Sequence, residues 1–407
     1  MHNSPVYEVV DSPAGFNRTA AALAAGRGPF AVDTERASAY RYDDRAFLVQ
    51  IHRRGAGTFL IAPEGQREVV GEVFAPVVNG QDWIIHAAGE DLAALSLLGL
   101  RPARVFDTEL AARLAGFDRP NLGAMVEHFT GVKLEKGHGR EDWSTAPLPQ
   151  DWLEYAALDV IYLNDLAEAL AEVLDAAEML PAAEQEFAHL LRARGQVPPK
   201  TWRDLKGLSS VRTPAGLQLA RELWLERDRR ARDADTPPSS VLQSRVIVDI
   251  ARHRPASPGE LARLKGFPAR RRGATAQWYS HIERALEQPR DTWPRPAARD
   301  ELTPPTKLNW ERNYPQSWEA LTQARSLIAG AAENLGLRPE DLLAPAVLRR
   351  EVWASCLEAE PHAPAGAAWP VATPGTHTTA ARLRELGARP WQVEIVAPLV
   401  ASATGRP

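Results

Sequence analysis

Residues 30–35 are FAVDTE, a short apolar run that ends in two acids. The run predicts a buried strand, and the acids Asp33 and Glu35 lie at its end. Side chains two residues apart in a strand point to the same face of the sheet, so both carboxylates can reach one cation.

Two further stretches carry acids that fit the same site. In WIIHAAGEDLAAL, residues 83–95, an apolar strand leads to Asp91 at the start of a helix. In EYAALDVIYL, residues 154–163, Tyr155 and Asp159 are four residues apart on a predicted helix and therefore share one face. Neighbouring carboxylates repel one another unless cations compensate them, and an all-oxygen ligand set suits Mg²⁺ or Mn²⁺.

Such a site is suited to phosphodiester hydrolysis. Two divalent ions roughly 3.5 to 4 Å apart can hold both the attacking and the leaving oxygen of an in-line phosphoryl displacement. A tyrosine hydroxyl nearby can orient the attacking water. Each of these acidic motifs is common when it occurs alone. The inference of a phosphodiester-hydrolysing site therefore depends on the order of the motifs along the chain.

The composition is that of a globular protein with two or three domains. The chain has 407 residues, of which 44% are hydrophobic and 25% are charged. Its single cysteine, Cys356, excludes an intramolecular disulfide and a cysteine-rich zinc site. The sequence shows neither a signal peptide nor an apolar run of membrane-spanning length, so we expect a cytoplasmic protein.

Charge is segregated along the chain. Residues 1–190 carry a net charge of −14 and residues 191–407 carry +10, within a total of −4. Residues 191–300 alone contribute +11. A basic region beside an acidic, cation-dependent site favours a polyanionic substrate, because phosphate neutralisation supplies most of the nonspecific affinity for nucleic acids.

The order of the predicted elements indicates an α/β domain followed by two all-α helical bundle domains. Strands at 46–54, 57–63 and 83–87 follow the first strand, and helical periodicity then extends to about Arg194, which favours a mixed sheet with flanking helices. A Pro-rich and Gly-rich loop at 361–379 interrupts the last domain. The predicted division is a first domain at 1–194, a linker at 195–206, a helical domain at 207–290, a Pro-rich linker at 291–312 and a second helical domain at 313–402.

The motifs and their order resemble a known nuclease superfamily. An apolar strand into DTE, a second into HAAGEDL, and DW followed by YAALDVIYL resemble the DEDD 3'-5' exonucleases in their tyrosine-containing branch, and more closely bacterial ribonuclease D. The chain departs from the family pattern at Ala146, where the family usually has an arginine. Matches between the second and third motifs are Phe106-Asp107-Thr108, Ala111, Ala112, Lys136, Asp142-Trp143-Ser144, Pro147 and Leu148.

The resemblance implies a ribonuclease H-like mixed sheet with flanking helices in the first domain. It also implies that four acids hold two divalent metal ions, Mg²⁺ or Mn²⁺, and that a tyrosine positions the attacking water. The acids are Asp33, Glu35, Asp91 and Asp159, and the tyrosine is Tyr155.

The helical domains resemble nucleic-acid-binding HRDC modules. The stretch ELARLKGF, residues 260–267, follows a D-x-P-P sequence and a helix that ends in RHRP, and this combination resembles an HRDC domain. The last domain resembles a second, HRDC-like unit. Both resemblances imply that the region after residue 206 contacts nucleic acid.

The candidate nucleic-acid contacts are basic or aromatic residues. One predicted loop offers Lys136, Arg140 and Trp143 for phosphate contact and base stacking, although a Trp143 packed against the domain fits the sequence equally well. Five basic residues of the helical domain follow one another without an intervening acid, which is typical of a phosphate-binding track and also of a solvated surface. We call them the arginine cluster: Arg263, Lys265, Arg270, Arg271 and Arg272.

The predicted function is that of a metal-dependent 3'-5' exoribonuclease that releases 5'-monophosphates. The resemblance implies tRNA precursors and other small structured RNAs as its substrates. Two alternatives stay open: a 3'-5' DNA exonuclease, because no motif reads a 2'-hydroxyl, and an RNA-binding scaffold without activity. We expect a monomer that needs no obligate protein partner and does not associate with membranes.

Overall fold

The computed structural model describes residues 5–134, 137–194, 200–296, 302–359 and 378–405. We refer to residues 5–194 as the sheet domain, to 200–296 as the first bundle and to 302–405 as the second bundle. In the part of the chain that the structure describes, no helix is both long and apolar enough to cross a membrane.

The sheet domain is built on one mixed sheet, as predicted, and this sheet has six strands among the described residues. The strands are β1 (Glu8–Val10), β2 (Arg27–Arg36), β3 (Ala46–Arg54), β4 (Gly57–Ile61), β5 (Asp82–Ile85) and β6 (Arg104–Asp107). Their order across the sheet is β1-β4-β3-β2-β5-β6. The strand β2 pairs antiparallel with β3 and parallel with β5, so it lies inside the sheet with a neighbour on each side.

Helices cover both faces of this sheet. One face packs against α1 and α2, where the rings of Phe16 and Phe74 meet edge to face at 6.1 Å. The other face is crossed by α6, which packs over β2, β3 and β4. The helices of the sheet domain are α1 (Pro13–Ala25), α2 (Arg67–Val78), α3 (Asp91–Ser96), α4 (Thr108–Leu114), α5 (Leu122–Thr130), α6 (Gln150–Ile161), α7 (Leu163–Ala176) and α8 (Leu180–Arg194).

Four elements of the sheet domain were not predicted. The strands β1 and β6 have only three and four residues, which is too short for an alternating pattern. The helix α1 is rich in alanine and α2 contains Pro76, so neither shows a clear apolar stripe in the sequence. All four fold because the central strands offer them an apolar surface.

The first bundle has an apolar core of its own. Buried side chains such as Leu223, Ile247 and Trp278 contact one another and not the core of the sheet domain. Ser257 caps α12, since its hydroxyl accepts a hydrogen bond from the backbone N–H of Glu260 at 3.2 Å. The helices are α9 (Pro214–Asp233), α10 (Pro238–Val241), α11 (Ser244–His253), α12 (Pro258–Arg263) and α13 (Ala274–Glu287).

The second bundle shares one apolar core with the sheet domain. Phe187 of α8 and Trp391 belong to the same cluster of buried residues. The carboxylate of Glu186 accepts hydrogen bonds from the Nε1 of Trp391 at 2.7 Å and from the Nε of Arg389 at 2.6 Å. The helices are α14 (Lys307–Asn313), α15 (Pro315–Asn334), α16 (Pro339–Leu342), α17 (Pro345–Ala359), α18 (Thr379–Glu385) and α19 (Pro390–Thr404).

The first bundle contacts the sheet domain through polar groups instead. The guanidinium of Arg45 donates two hydrogen bonds to the carboxylate of Asp235, at 3.0 and 2.8 Å, and it lowers the pKa of that carboxyl to about 2. The hydroxyl of Tyr42 donates to Asp228 at 2.8 Å. The two bundles are therefore attached to the sheet domain in different ways, one by ion pairs and one by a continuous core.

Candidate active site

The strand β2 presents two of the predicted acids to α6. Asp33 and Glu35 lie near its C-terminal end, on the face that α6 covers. Opposite Glu35 in the sheet is Leu48, which packs with Ala157 of α6. The strand β2 pairs with β3 along the two acids and with β5 just before them, at Phe30 and Ala31, so the sheet fixes the backbone that carries both carboxylates.

The helix α6 brings a third acid to the same point. Tyr155 and Asp159 are one helical turn apart on α6, as predicted from their spacing. Carboxylate oxygens of Asp33, Glu35 and Asp159 lie within 4.8 Å of one another. A single divalent cation can therefore be reached by all three.

Asp91 is held beside this group by a neighbour from β2. It begins α3, and its Oδ1 accepts a hydrogen bond from the hydroxyl of Thr34 at 2.5 Å. Its charge also raises the pKa values of Asp33 and Asp159. The structure thus gathers the four acids that the sequence placed in three separate motifs.

Burial raises the pKa of every acid in the cluster, and repulsion from neighbouring carboxylates adds to the shift. The pKa of Asp159 is raised to about 7, mainly by burial and further by the charge of Asp91. That of Asp91 is raised to about 6 by burial, against the hydrogen bond from Thr34, which lowers it. Burial and the neighbouring carboxylates raise the pKa of Asp33 and of Glu35 well above their usual values. A divalent cation would relieve this repulsion, so the donor set fits a hard metal ion.

A further buried carboxylate, that of Asp107, organises the turn before Asp91, and the sequence did not single it out as functional. Asp107 ends β6 and accepts hydrogen bonds from four backbone N–H groups. The donors are Ala87 at 3.1 Å, Ala88 at 2.9 Å, Glu109 at 3.0 Å and Leu110 at 3.1 Å. Ala87 has a φ of 60°, a left-handed conformation that is uncommon for alanine. Asp107 therefore stabilises a strained turn that leads into α3. Its signals in the sequence are its place in the family pattern and the D-T-E sequence at the start of α4, which is typical of a helix cap.

Tyr155 is covered by a short segment that contains two glycines. The ring of His138 meets that of Tyr155 nearly edge to face, with their centroids 5.7 Å apart. A Cβ atom added to Gly137 would lie 3.2 Å from the Cδ2 of Tyr155, so a larger residue there would press on the ring. Burial and the neighbouring Asp159 raise the pKa of Tyr155, which keeps its hydroxyl protonated at neutral pH.

Trp143 is buried, contrary to its predicted contact with nucleic acid. Its side chain is only 2% exposed, it packs against Trp152, and its Nε1 donates a hydrogen bond to the carbonyl of His138 at 3.1 Å. No face of the ring is left for a base to stack on, so the predicted nucleic-acid contact is wrong and the packed alternative holds. Its D-W-S context could not distinguish the two, because both need an aromatic residue beside a loop.

The other predicted nucleic-acid contacts differ in position. Lys136 lies outside the described residues. Arg140 is exposed, on the segment that covers Tyr155. All five members of the arginine cluster are exposed at and after α12, and within the described ranges none of them has an ion-pair partner. Their charges are therefore available to a ligand.

Family comparisons divide the chain into three parts. Residues 7–175 match the family model described as 3'-5' exonuclease, and residues 216–275 match the HRDC domain. Residues 303–404 match a model described as the 3' to 5' exonuclease C-terminal domain. This range includes residues 313–402, which were predicted to form a second HRDC-like unit.

Known proteins of similar sequence or structure agree with these family matches. A ribonuclease D of Cronobacter turicensis is 32% identical over 272 residues, which is 64% of this chain and 73% of the relative. A crystal structure of a protein from Bifidobacterium adolescentis has a TM-score of 0.79 at 29% identity and covers 98% of this chain and 100% of that one. The crystal structure of Escherichia coli RNase D, described as an exoribonuclease involved in structured RNA processing, has a TM-score of 0.73 at 25% identity and covers 98% and 99%. The chain belongs to the ribonuclease D family of 3'-5' exoribonucleases.

Proposed function

We propose that this chain trims the 3' ends of tRNA precursors and other small structured RNAs, one nucleotide at a time, and releases 5'-monophosphates. The observation that carries the proposal is the cluster of Asp33, Glu35 and Asp159, next to a protonated tyrosine. Asp91, from the remaining motif, lies near enough for its charge to raise the pKa values of Asp33 and Asp159. The division into a nuclease domain at 1–194, an HRDC domain at 207–290 and a further helical domain at 313–402 is part of the proposal.

The acids and the tyrosine of the cluster would have different roles in the reaction. The acids Asp33, Glu35, Asp91 and Asp159 would hold two divalent cations, Mg²⁺ or Mn²⁺. Such ions supply charge stabilisation to an in-line phosphoryl displacement. Tyr155 would orient the attacking water through its hydroxyl. Burial, the largest cause of its raised pKa, favours the protonated form of this hydroxyl.

Substrate class is tested by incubating the protein with end-labelled single-stranded RNA and DNA of one sequence, with Mg²⁺ or Mn²⁺ and with EDTA. We expect a ladder of shortened RNA that depends on the metal, and little shortening of DNA. Ladders on DNA alone would overturn the RNA assignment. Binding of both strands without any shortening would instead indicate a scaffold.

Removing the tyrosine hydroxyl should slow the reaction without weakening RNA binding. In Tyr155→Phe we expect kcat to fall by about 10²-fold with KM nearly unchanged, because a group that orients a reacting water contributes on this order. Tyr279→Phe is the control, since its hydroxyl binds the carbonyl of Ala256 inside the first bundle. A wild-type kcat in Tyr155→Phe would show that the hydroxyl of Tyr155 takes no part in the reaction.

Stability should depend on pH and on metal together. Acids with a raised pKa favour the folded state at low pH, and that contribution is lost as the pH rises through their folded values, about 6 for Asp91 and about 7 for Asp159. Cations bind the ionised acids and offset the loss. Burial lowers the pKa of His86 to about 4, so this residue destabilises the folded state at low pH and opposes the trend of the acids. The quantity to measure is therefore the rise in Tm that Mg²⁺ causes at each pH. We expect this rise to be larger at about pH 8 than at about pH 5, and an equal rise would contradict the assignment.

The arginine cluster should contribute a salt-dependent part of RNA affinity. In a triple variant with Arg270, Arg271 and Arg272 changed to alanine, the slope of log Kd against log salt should become shallower by up to about 2, since each phosphate contact to a single strand contributes about 0.7. Arg229→Ala is the control, because that guanidinium is already paired with Glu226 and Asp233. An unchanged slope in the triple variant would identify the cluster as ordinary surface.

A further inference from the structure

Gln50 is a fully buried residue whose amide has no partner. Its side chain is 0% exposed, and neither its Oε1 nor its Nε2 makes a hydrogen bond within the described residues. A buried amide without a partner is costly, because it has lost its hydrogen bonds to water and gained none in return. Such a group in a folded protein therefore needs an explanation.

The register of the sheet places this amide beside the acid cluster. Gln50 lies in β3 directly opposite Asp33 of β2 and opposite Leu60 of β4. Directly opposed residues of an antiparallel pair point to the same face, with Cβ atoms about 4.5 to 5.5 Å apart. Leu60 packs against Ala156 of α6, so this face is the one beneath the helix that carries Asp159.

Other buried glutamines of the chain have partners, which shows that the fold can satisfy such groups elsewhere. The Nε2 of Gln218 donates to the carbonyl of Ala285 at 3.1 Å, and its Oε1 accepts from Arg221 at 2.7 Å. Gln392 accepts from the backbone N–H of Arg389 and donates to the carbonyl of Asp341. Gln50 differs from both in lying next to Asp33.

We propose that Gln50 is a positioning residue for the acid cluster, whose amide N–H donates to the carboxylate of Asp33 when that carboxylate holds a cation. An ionised carboxylate offers acceptor positions that one metal ion does not use up, and the groups that bind those positions fix the orientation of the ligand. The amide of Gln50 then has no partner without metal, because its hydrogen bond to Asp33 forms only when a cation is bound. This inference rests on the proposed function.

Gln50→Met tests the proposal with two measurements that should move in opposite directions. Methionine fills nearly the same volume without an amide, so we expect the metal-free variant to melt at a higher temperature than the wild type. Its affinity for Mn²⁺, measured by calorimetry without RNA, should fall by about 10-fold or more, as expected for loss of a group that supports a metal ligand. The kcat should fall with it while KM for RNA stays near the wild-type value.

Gln218→Met is the matched control, because it removes an amide that is equally buried but hydrogen-bonded. We expect it to lower Tm and to leave Mn²⁺ affinity unchanged. Wild-type Mn²⁺ affinity in Gln50→Met would overturn the inference, and so would a lower Tm of the metal-free variant, since the amide would then have a partner without metal. If the wild-type protein itself binds no Mn²⁺ and degrades no RNA, the proposed function fails, which is a separate result.

Discussion

Asp33→Asn should abolish RNA hydrolysis while leaving the protein folded. We expect the single-turnover rate to fall at least about a thousandfold, which corresponds to about 4 kcal/mol of transition-state stabilisation. Asparagine keeps the shape of the side chain but removes the charge at the point where three carboxylates lie within 4.8 Å. The same change relieves repulsion in the metal-free protein, so its Tm should rise.

The measurement is the rate of shortening of end-labelled RNA, together with fluorescence anisotropy for RNA binding, which should change little. Asp44→Asn is a matched control, because Asp44 is exposed in the connection between β2 and β3 and its replacement removes the same charge. Appreciable turnover by Asp33→Asn would exclude Asp33 as a metal ligand. A large loss of RNA binding would show that the substitution disturbs more than the cluster.

A large loss of stability is expected from a substitution far from the active-site residues in sequence. Trp391→Ala should lower the free energy of unfolding by roughly 3–5 kcal/mol, as truncation of a buried aromatic residue usually does. Trp391 is 7% exposed, and its Nε1 binds Glu186 of α8. Removing the ring leaves that carboxylate poorly satisfied and opens the shared core. Amide hydrogen exchange of α8 should therefore become faster, although α8 belongs to the sheet domain.

Trp278→Ala provides the control, because Trp278 is equally large and buried but lies in the separate core of the first bundle. It should speed exchange in α9 and α13 and leave α8 unchanged. Identical exchange of α8 in Trp391→Ala and the wild type would contradict the shared core. On the same grounds, a protein truncated at residue 194 should be unstable, because it retains α8 without the residues that cover it.

Much of the candidate site could be predicted from local patterns. The spacing of Asp33 and Glu35 on a strand, and of Tyr155 and Asp159 on a helix, determines which face each side chain takes, and the structure agrees. Asp91 was placed at the start of a helix by the apolar run before it. These predictions succeed because each depends on residues fewer than about five positions apart.

The remaining features depend on contacts between distant segments. The position of Gln50 opposite Asp33 follows from the register of β2 and β3, which no single stretch specifies. The hydrogen bond from Thr34 to Asp91 joins a strand to a helix 57 residues away. Likewise, the apolar face of α19 looks the same in sequence whether it covers its own bundle or α8. Such pairings are decided by tertiary packing, which periodicity does not encode.

The shared core has a consequence for how the protein is made. The ribosome adds about 5–20 residues per second, and roughly 200 residues separate Phe187 from Trp391, so their synthesis takes about 10–40 s. During this interval the first bundle can fold around its own core, whereas α8 still lacks its covering partner. The nascent nuclease thus passes through a stage in which its sheet has formed but its last apolar surface is open to chaperones or to premature association. Full stability is reached only when α19 has emerged from the ribosome and docked against α8.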